Sequence, residues 1–408
     1  MSTKAPNRRI AIGCGGTGGH LFPGIAVGEV LYDRGWEVML LISSKEVDQT
    51  GVRGLQGPRV ETLPAVGFDR GRIGGFVKGL VSSLKISARL FREFTPGAVL
   101  SMGGFTSVPP VLAGWRRGVP CFVHEANSIP GKANRWMAHL AEECFVFFPE
   151  TAGRLWNQRV TVTGMPVRRQ FQGLEAAGCR TMLGLDSARP VLLVVGGSQG
   201  ATGINQLVVQ ALPSLKVVAP DLQFIHLTGP QDHARVAEVY RGLGVRAVVR
   251  PFLTEMELAL GAATVAISRS GASSLAEMAA VGLPSILVPY PAATDNHQFY
   301  NARAFVETGA ARQVDQKTVE TSEVVRHVQA LLRDQGVRAG MVSALSAWGR
   351  ADAAEAIGDA IERHLGVTPS ASPSKSGGSR GADEETGPMP MPMLRRPTSA
   401  QPTKVLGK

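Results

Sequence analysis

A chain of 408 residues with 44% hydrophobic side chains is too long for one comfortable core, and length alone argues for about two or three domains. Its formal charge of +10 calls for an anionic partner, yet four tyrosines and no aromatic-basic repeat argue against a base-stacking platform. Nucleic acid is therefore not expected; phosphorylated small molecules or an anionic membrane surface fit better.

The first element is read at 10–12, a short apolar strand that runs into the turn Gly13-Cys-Gly-Gly-Thr-Gly-Gly-His20. Such a turn brings backbone N–H groups close to an anionic ligand and sets a titratable ring beside it. Further strands are read at 37–42, 98–101, 121–124 and 143–147, alternating with helical patterns, the signature of a parallel sheet covered by helices. After a boundary near 164–178 the device restarts with strands at 191–195, 223–227, 247–250, 265–268 and 285–288, the first entering Gly196-Gly-Ser-Gln-Gly200. An amphipathic helix at 351–365 precedes a Ser, Pro, Gly and Met-Pro segment whose composition cannot bury enough apolar area to fold. The expected division is a first domain at 1–165, a second at 166–366 whose last helix packs back on the first, and a disordered tail at 367–408.

Four cysteines, Cys14, Cys121, Cys144 and Cys179, have no close-pair spacing, so neither a zinc site nor a disulfide framework is indicated. With a polar start and no apolar run of about 18 residues, a cytoplasmic protein with at most peripheral membrane contact is expected.

Gly13-Cys-Gly-Gly-Thr-Gly18 formally satisfies a dinucleotide fingerprint, but the second strand ends Leu41-Ile-Ser-Ser-Lys45 with no acid until Glu46 to hold a ribose. Gly196-Gly-Ser198-Gln-Gly200 matches a nucleophile elbow, with Asp295 and His297 following in hydrolase order. Those two lie only two residues apart, poor geometry for a relay; alternatively Ser198 caps a helix and receives phosphate. Ser268-Arg-Ser-Gly-Ala-Ser-Ser-Leu-Ala-Glu277 leaves a strand and enters a helix whose exposed N–H groups seat a diphosphate. Glu277 is open to two readings, a capping box with Ser274 or an acceptor for a ribose diol. No chelating spacing and no Walker lysine occur, so no metal or cofactor is expected, and cations such as Arg168 meet the charge of a leaving diphosphate.

Gly15-Gly-Thr-Gly-Gly-His20-Leu-Phe-Pro23, Gly103-Gly-Phe-Thr-Ser-Val-Pro109, His124-Glu-Ala-Asn127, Gly164-Met-Pro-Val-Arg168, Gly196-Gly-Ser-Gln-Gly-Ala201, Ser270-Gly-Ala272 and His297-Gln-Phe-Tyr-Asn-Ala302 form an ordered series. Together they resemble the MurG family of bacterial peptidoglycan glycosyltransferases over nearly the whole chain to about Leu365. The resemblance implies a GT-B fold, two Rossmann-like domains around a cleft, and inverting transfer of N-acetylglucosamine from UDP-GlcNAc to the C4 hydroxyl of lipid I, giving lipid II. It sets Thr17, Gly18 and Gly19 beside the donor and His20 as the base for the acceptor hydroxyl, or as a hydrogen-bonding group only. Asn127, Arg168 and Ser198 match donor contacts. Leu253 matches the residue whose backbone meets uracil, Ala272, Ser273, Ser274, Leu275, Ala276 and Glu277 the uridine and phosphate loop, and Gln298 a contact to sugar hydroxyls. For Glu277 the resemblance favours the ribose.

Where the family usually has glutamine and asparagine, this chain has Ala126 and Met165, and Phe105 stands for a frequent tyrosine. The implied place is the cytoplasmic face of the inner membrane, with lipid I and other cell-wall enzymes as partners. Ile73, Phe76, Val77, Leu80 and Leu84 at helical spacing, among Arg72, Lys78, Lys85, Arg89 and Arg92, offer an anionic-lipid contact or a core-facing helix with a solvated basic side. Competing readings are a GT-B transferase with another lipid or natural-product acceptor, a serine esterase using Ser198, and a non-catalytic scaffold.

Overall fold

The computed structural model describes residues 7–64, 73–197 and 200–368. In the first lobe the order is β1 (Arg9–Gly13), α1 (Gly18–Asp33), β2 (Glu37–Ser43), α2 (Glu46–Gly51), β3 (Arg59–Leu63), α3 (Ile73–Phe94), β4 (Ala98–Ser101), α4 (Val108–Trp115), β5 (Cys121–Glu125), α5 (Lys132–Met137), β6 (Glu143–Val146) and β7 (Val160–Val162). The second continues with α6 (Ala176–Met182), β8 (Val191–Val195), α7 (Thr202–Val218), β9 (Gln223–Leu227), α8 (His233–Gly242), β10 (Ala247–Arg250), α9 (Met256–Ala262), β11 (Val265–Ser268), α10 (Ala272–Ala280), β12 (Ser285–Leu287), α11 (His297–Glu307), β13 (Arg312–Gln313), α12 (Thr321–Arg333), α13 (Gln335–Ser346) and α14 (Ala353–His364).

Among the described residues the strands form two sheets, ordered β3-β2-β1-β4-β5-β6-β7 and β10-β9-β8-β11-β12-β13, with parallel pairing throughout. Parallel neighbours need crossover connections, which the intervening helices supply. Strand order reverses at β1/β4, where Ile10 lies beside Ala98, and at β8/β11, where Val265 lies beside Leu192. Crevices at the carboxyl ends of such reversals are where α/β sheets take ligands.

The inner strands read clearly because both of their faces are covered. Ile10, Ile12, Leu40 and Leu100 meet α1 on one side of the first sheet, while Ala11, Met39 and Val99 join Leu90, Phe91, Val111 and Met137 of α3, α4 and α5 on the other. Three strands absent from the sequence reading, β3, β7 and β13, include both edges of the first sheet and one of the second. Edge strands keep polar, half-exposed residues, as in Arg-Val-Glu-Thr-Leu of β3, and give no apolar run.

The last helix returns to the first lobe. Ala354, Ile357, Ala360 and Ile361 of α14 are buried with Val27, Leu31 and Trp36, and Val367, assigned from composition to the tail, is buried in the same cluster. Residues 369–408 lie outside the described residues. Polar contacts pin the helix in place: the Arg34 Nη1 donates to Glu362 Oε2 at 2.8 Å and to Asp359 Oδ1 at 2.6 Å, and Trp36 Nε1 donates to Glu362 Oε1 at 3.0 Å. The Arg34 side chain is 4% exposed and that of Glu362 is 0%. Removing one partner of such a pair strands a buried charge, whereas replacing both with apolar groups does not. Glu362→Ala is expected to lower the unfolding free energy by about 3 kcal/mol, and Arg34→Met with Glu362→Gln, which keeps an acceptor for the Trp36 N–H, by less, as measured by urea denaturation.

Candidate active site

The turn after β1 is built around a buried carboxylate. Asp48, on α2, is fully buried and accepts from the Gly16 N–H at 2.6 Å, the Ser43 N–H at 3.0 Å and the Ser43 hydroxyl at 2.5 Å, all at Oδ2. The Lys45 ammonium donates to the Gly16 carbonyl at 2.8 Å. Gly16 has φ +115°, a conformation that glycine adopts without strain, and a Cβ on Gly15 would collide with the backbone of Ile42 and Ser43. The Gly16 N–H thus already serves an internal anion.

Thr17 is the N-cap of α1, and Gly18 and Gly19 open the helix. The Thr17 hydroxyl lies 3.2 Å from His20 Nδ1. The His20 ring lies across the Gly103–Gly104 turn, where a side chain on Gly103 would stand 3.2 Å from Nε2. Burial lowers the His20 pKa to about 4, against an upward pull from Asp48, so the ring is neutral at physiological pH.

After β5, Glu125 collects the loop. Its Oε1 accepts from the Asn127 N–H at 2.8 Å and from Asn127 Nδ2 at 3.3 Å; its Oε2 accepts from the Gly131 N–H at 2.9 Å and from Asn134 Nδ2 at 2.8 Å. Burial raises its pKa and those hydrogen bonds pull it back. His124 is buried, its pKa lowered to about 4 by desolvation, and it donates from Nε2 to the Gly164 carbonyl at 3.0 Å. His20, Gly104, Phe105, Glu125, Asn127 and Asn134 line a cavity of about 250 Å³, and Thr294, Asp295 and His297 of the second lobe line it too. A larger cavity of about 780 Å³ beside α6, α9 and α13 contains none of the expected site residues.

In the second lobe, Ser198 and its neighbour Gln199 lie outside the described residues. Among the described residues Asp295 does not buttress the His297 ring: His297 Nδ1 bonds to the Thr294 carbonyl at 2.8 Å, and Asp295 sits at φ +50° on the turn before it. Gly271 is the N-cap of α10 and Ser274 lies inside the helix, so the Ser274–Glu277 capping box does not form. Ser273 Oγ instead donates to Glu277 Oε1 at 3.4 Å, and burial raises the Glu277 pKa to about 7 against the pull of the Arg168 charge. The Arg168 guanidinium stacks over Phe22 of α1 at 4.2 Å and faces Phe171 at 5.3 Å, with Nε buried and, among the described residues, without a hydrogen-bond partner. Ala272, Leu275 and Ala276 are buried on α10, and Leu253 is half-buried against the second core between β10 and α9. Gln298 accepts from the Tyr290 N–H at 3.0 Å through Oε1, and its carbonyl accepts from Ser270 Oγ at 2.7 Å.

The expected residues thus fall into two groups, His20 and Asn127 at the cavity, and Arg168 with Ala272–Glu277 near the start of α10. Ala126 and Met165 are buried in one apolar cluster with Phe147, Phe148 and Phe305. Apolar side chains suit those positions. Asp48 escaped the sequence reading because an acid was sought at the end of β2, five residues earlier. Asn301 and Glu125 stood inside quoted motifs without a role. Among the described residues no cluster of His, Cys, Asp and Glu is arranged to hold a metal ion.

Residues 10–146 match the glycosyltransferase family 28 N-terminal domain, and residues 191–357 match the family's C-terminal domain. A protein of Desulforudis audaxviator named UDP-N-acetylglucosamine--N-acetylmuramyl-(pentapeptide) pyrophosphoryl-undecaprenol N-acetylglucosamine transferase is 36% identical over 369 residues, spanning 88% of this chain and 99% of its own. One of Sorangium cellulosum with the same name is 37% identical over 354 residues, 85% of each. The crystal structure of Acinetobacter baumannii MurG has a TM-score of 0.68 at 24% identity, over 87% of this chain and 99% of that one, a likeness of fold.

Removing the Asp48 charge takes away an attraction that favours the imidazolium. Asp48→Asn is expected to shift the His20 pKa further down, measured by NMR titration of the histidine rings; an upward shift contradicts the placement.

Proposed function

Since the chain belongs to the MurG family within glycosyltransferase family 28, we propose that its two lobes divide one reaction, the first holding the acceptor and the second the UDP-sugar. The protein is a UDP-sugar-dependent glycosyltransferase that transfers N-acetylglucosamine from UDP-GlcNAc to lipid I and forms lipid II. The observation that carries the division of labour is the shared cavity, with His20, Glu125 and Asn127 on one side and Thr294, Asp295 and His297 on the other.

In this reading the C4 hydroxyl oxygen of the acceptor bonds to the anomeric carbon as the bond to the β-phosphate breaks, with inversion. The leaving electron pair goes to UDP and the hydroxyl proton to His20. A neutral ring with Nδ1–H donating to Thr17 Oγ1 keeps the Nε2 lone pair free for that proton. The negative charge of a bound diphosphate near the ring raises its pKa and makes it a better base.

UDP is assigned to the second lobe. The first turn of α10 offers N–H groups and a positive dipole end to the diphosphate, with Arg168 and Ser198 as further donors. Glu277 accepts from the ribose diol, the Leu253 backbone meets uracil, and Thr17, Gly18, Gly19, Asn127 and Gln298 surround the transferred sugar.

No helix among the described residues is long and apolar enough to cross a membrane. Peripheral contact with an anionic lipid surface, on the cytoplasmic face of the inner membrane, is assigned to α3. Its outer side shows Val77, 49% exposed, and Val81, 44% exposed, among exposed Lys78, Lys85 and Arg89. Ser83, Ser87, Leu90 and Phe91 form its buried side, and Phe76 packs edge-on against Phe105 at 5.6 Å. Arg70 and Arg72 lie outside the described residues.

Incubation with UDP-GlcNAc and a lipid I analogue is expected to release UDP, and no release with that acceptor defeats the acceptor assignment. His20→Ala is expected to cut kcat by about 10² to 10⁴-fold, with UDP affinity by calorimetry changed less than about threefold. Unchanged turnover would refute the base role. Glu277 is a carboxylate above its pKa of about 7 and a weaker acceptor below it. UDP affinity is therefore expected to fall from about pH 8 to about pH 6, and Glu277→Gln to flatten that dependence.

A further inference from the structure

Asn301 belongs to α11 in the second lobe, is 0% exposed, and reaches into the first. Its Oδ1 accepts from the Ser128 N–H at 2.9 Å, while its Nδ2 donates to Asn127 Oδ1 at 3.1 Å and to the Ser270 carbonyl at 3.2 Å. Both amide hydrogens are used. Rotating the amide by half a turn would set N–H against N–H at Ser128 and oxygen against two oxygens, so its orientation is determined by its neighbours.

The two ends of this bridge belong to different halves of the site. Asn127 also donates from Nδ2 to Glu125 Oε1 at 3.3 Å, and both residues line the cavity with His20. With its oxygen held by Asn301, the Asn127 amide has one N–H left to offer. Ser270 lies two residues before α10, and its hydroxyl donates to the Gln298 carbonyl at 2.7 Å. Cohesion between the lobes has another source nearby, since Phe148 of the first lobe packs against Phe305 at 6.2 Å and Trp348 at 5.4 Å. A buried amide is a costly way to add adhesion, because each of its polar atoms must be satisfied.

We propose that Asn301 is a positioning residue for the transfer: one side-chain amide holds Asn127 of the first lobe, beside the transferred sugar, and Ser270 of the second, setting the first lobe's wall of the cavity in register with the UDP-sugar loop. Asn301 touches neither substrate and acts through Asn127. The inference rests on the division of donor and acceptor given above.

The test uses the full-length protein with Asn301→Ala and Asn301→Asp, each alone and combined with Asn127→Ala. Steady-state rates with UDP-GlcNAc and a lipid I analogue are read beside UDP affinity by calorimetry. Asn301→Ala is expected to lower kcat/KM for the acceptor by about 10 to 100-fold while UDP affinity changes less than about threefold. On the Asn127→Ala background the same substitution is expected to cost less than about threefold, since its target is gone. Asn301→Asp keeps the volume and the bond from Ser128 but replaces both donations with repulsion, and is expected to reproduce the loss without a cavity. Losses that multiply in the double variant, or a fall in UDP affinity equal to the fall in kcat/KM, would overturn the proposal. Wild-type protein that neither binds UDP nor releases it would instead overturn the donor and acceptor assignment beneath it.

Discussion

The first lobe is completed by a helix that comes after the second. With α14 removed, Val27, Leu31 and Trp36 would lose the side chains that cover them, and Arg34 would lose Glu362. The chain therefore crosses between lobes twice. Near the return crossing, Arg350 Nη1 donates to the Val162 carbonyl at 3.1 Å, which sets it beside the end of β7 and the outward path. Everything at the cavity follows from that closure, because side chains of α11 meet the loop after β5 only while both lobes share this seam.

The turn after β1 and the start of α10 differ in electrostatics. Around the first, Asp48 supplies an anion from within, and its bonds to Gly16 and Ser43 set the path of the loop that ends at His20. A second anion at the Gly16 N–H would meet a carboxylate already there. At the start of α10, Gly271 gives no side-chain cap, which leaves the helix dipole for an outside ligand.

Desolvation governs the titratable groups of the first lobe at the cavity. His20 and His124 are both held neutral by burial, while four donors hold Glu125 in place. Ala126 and Met165 sit just behind this polar layer in the apolar cluster with Phe147 and Phe148. Long polar side chains there would need partners that an apolar cluster does not provide. The polar groups that remain are tied to one another, so the layer is stiff before any substrate arrives.

Composition, strand periodicity and the order of the glycine motifs were enough to determine two parallel α/β lobes, since buried strands and turns write their demands locally in apolar runs and glycines. The same local logic missed β3, β7 and β13, whose half-solvated faces carry no such run, and it left the Ser274 capping box open as one of two readings because such a box does not say where a helix begins. Contacts between distant segments were decided by tertiary structure alone. Asp48 is 32 residues from Gly16, Asn301 is 174 from Asn127, and Glu362 is 328 from Arg34. No periodicity links such positions, because each pairing depends on how helices and sheets pack, and burial then sets which of these groups keeps its charge.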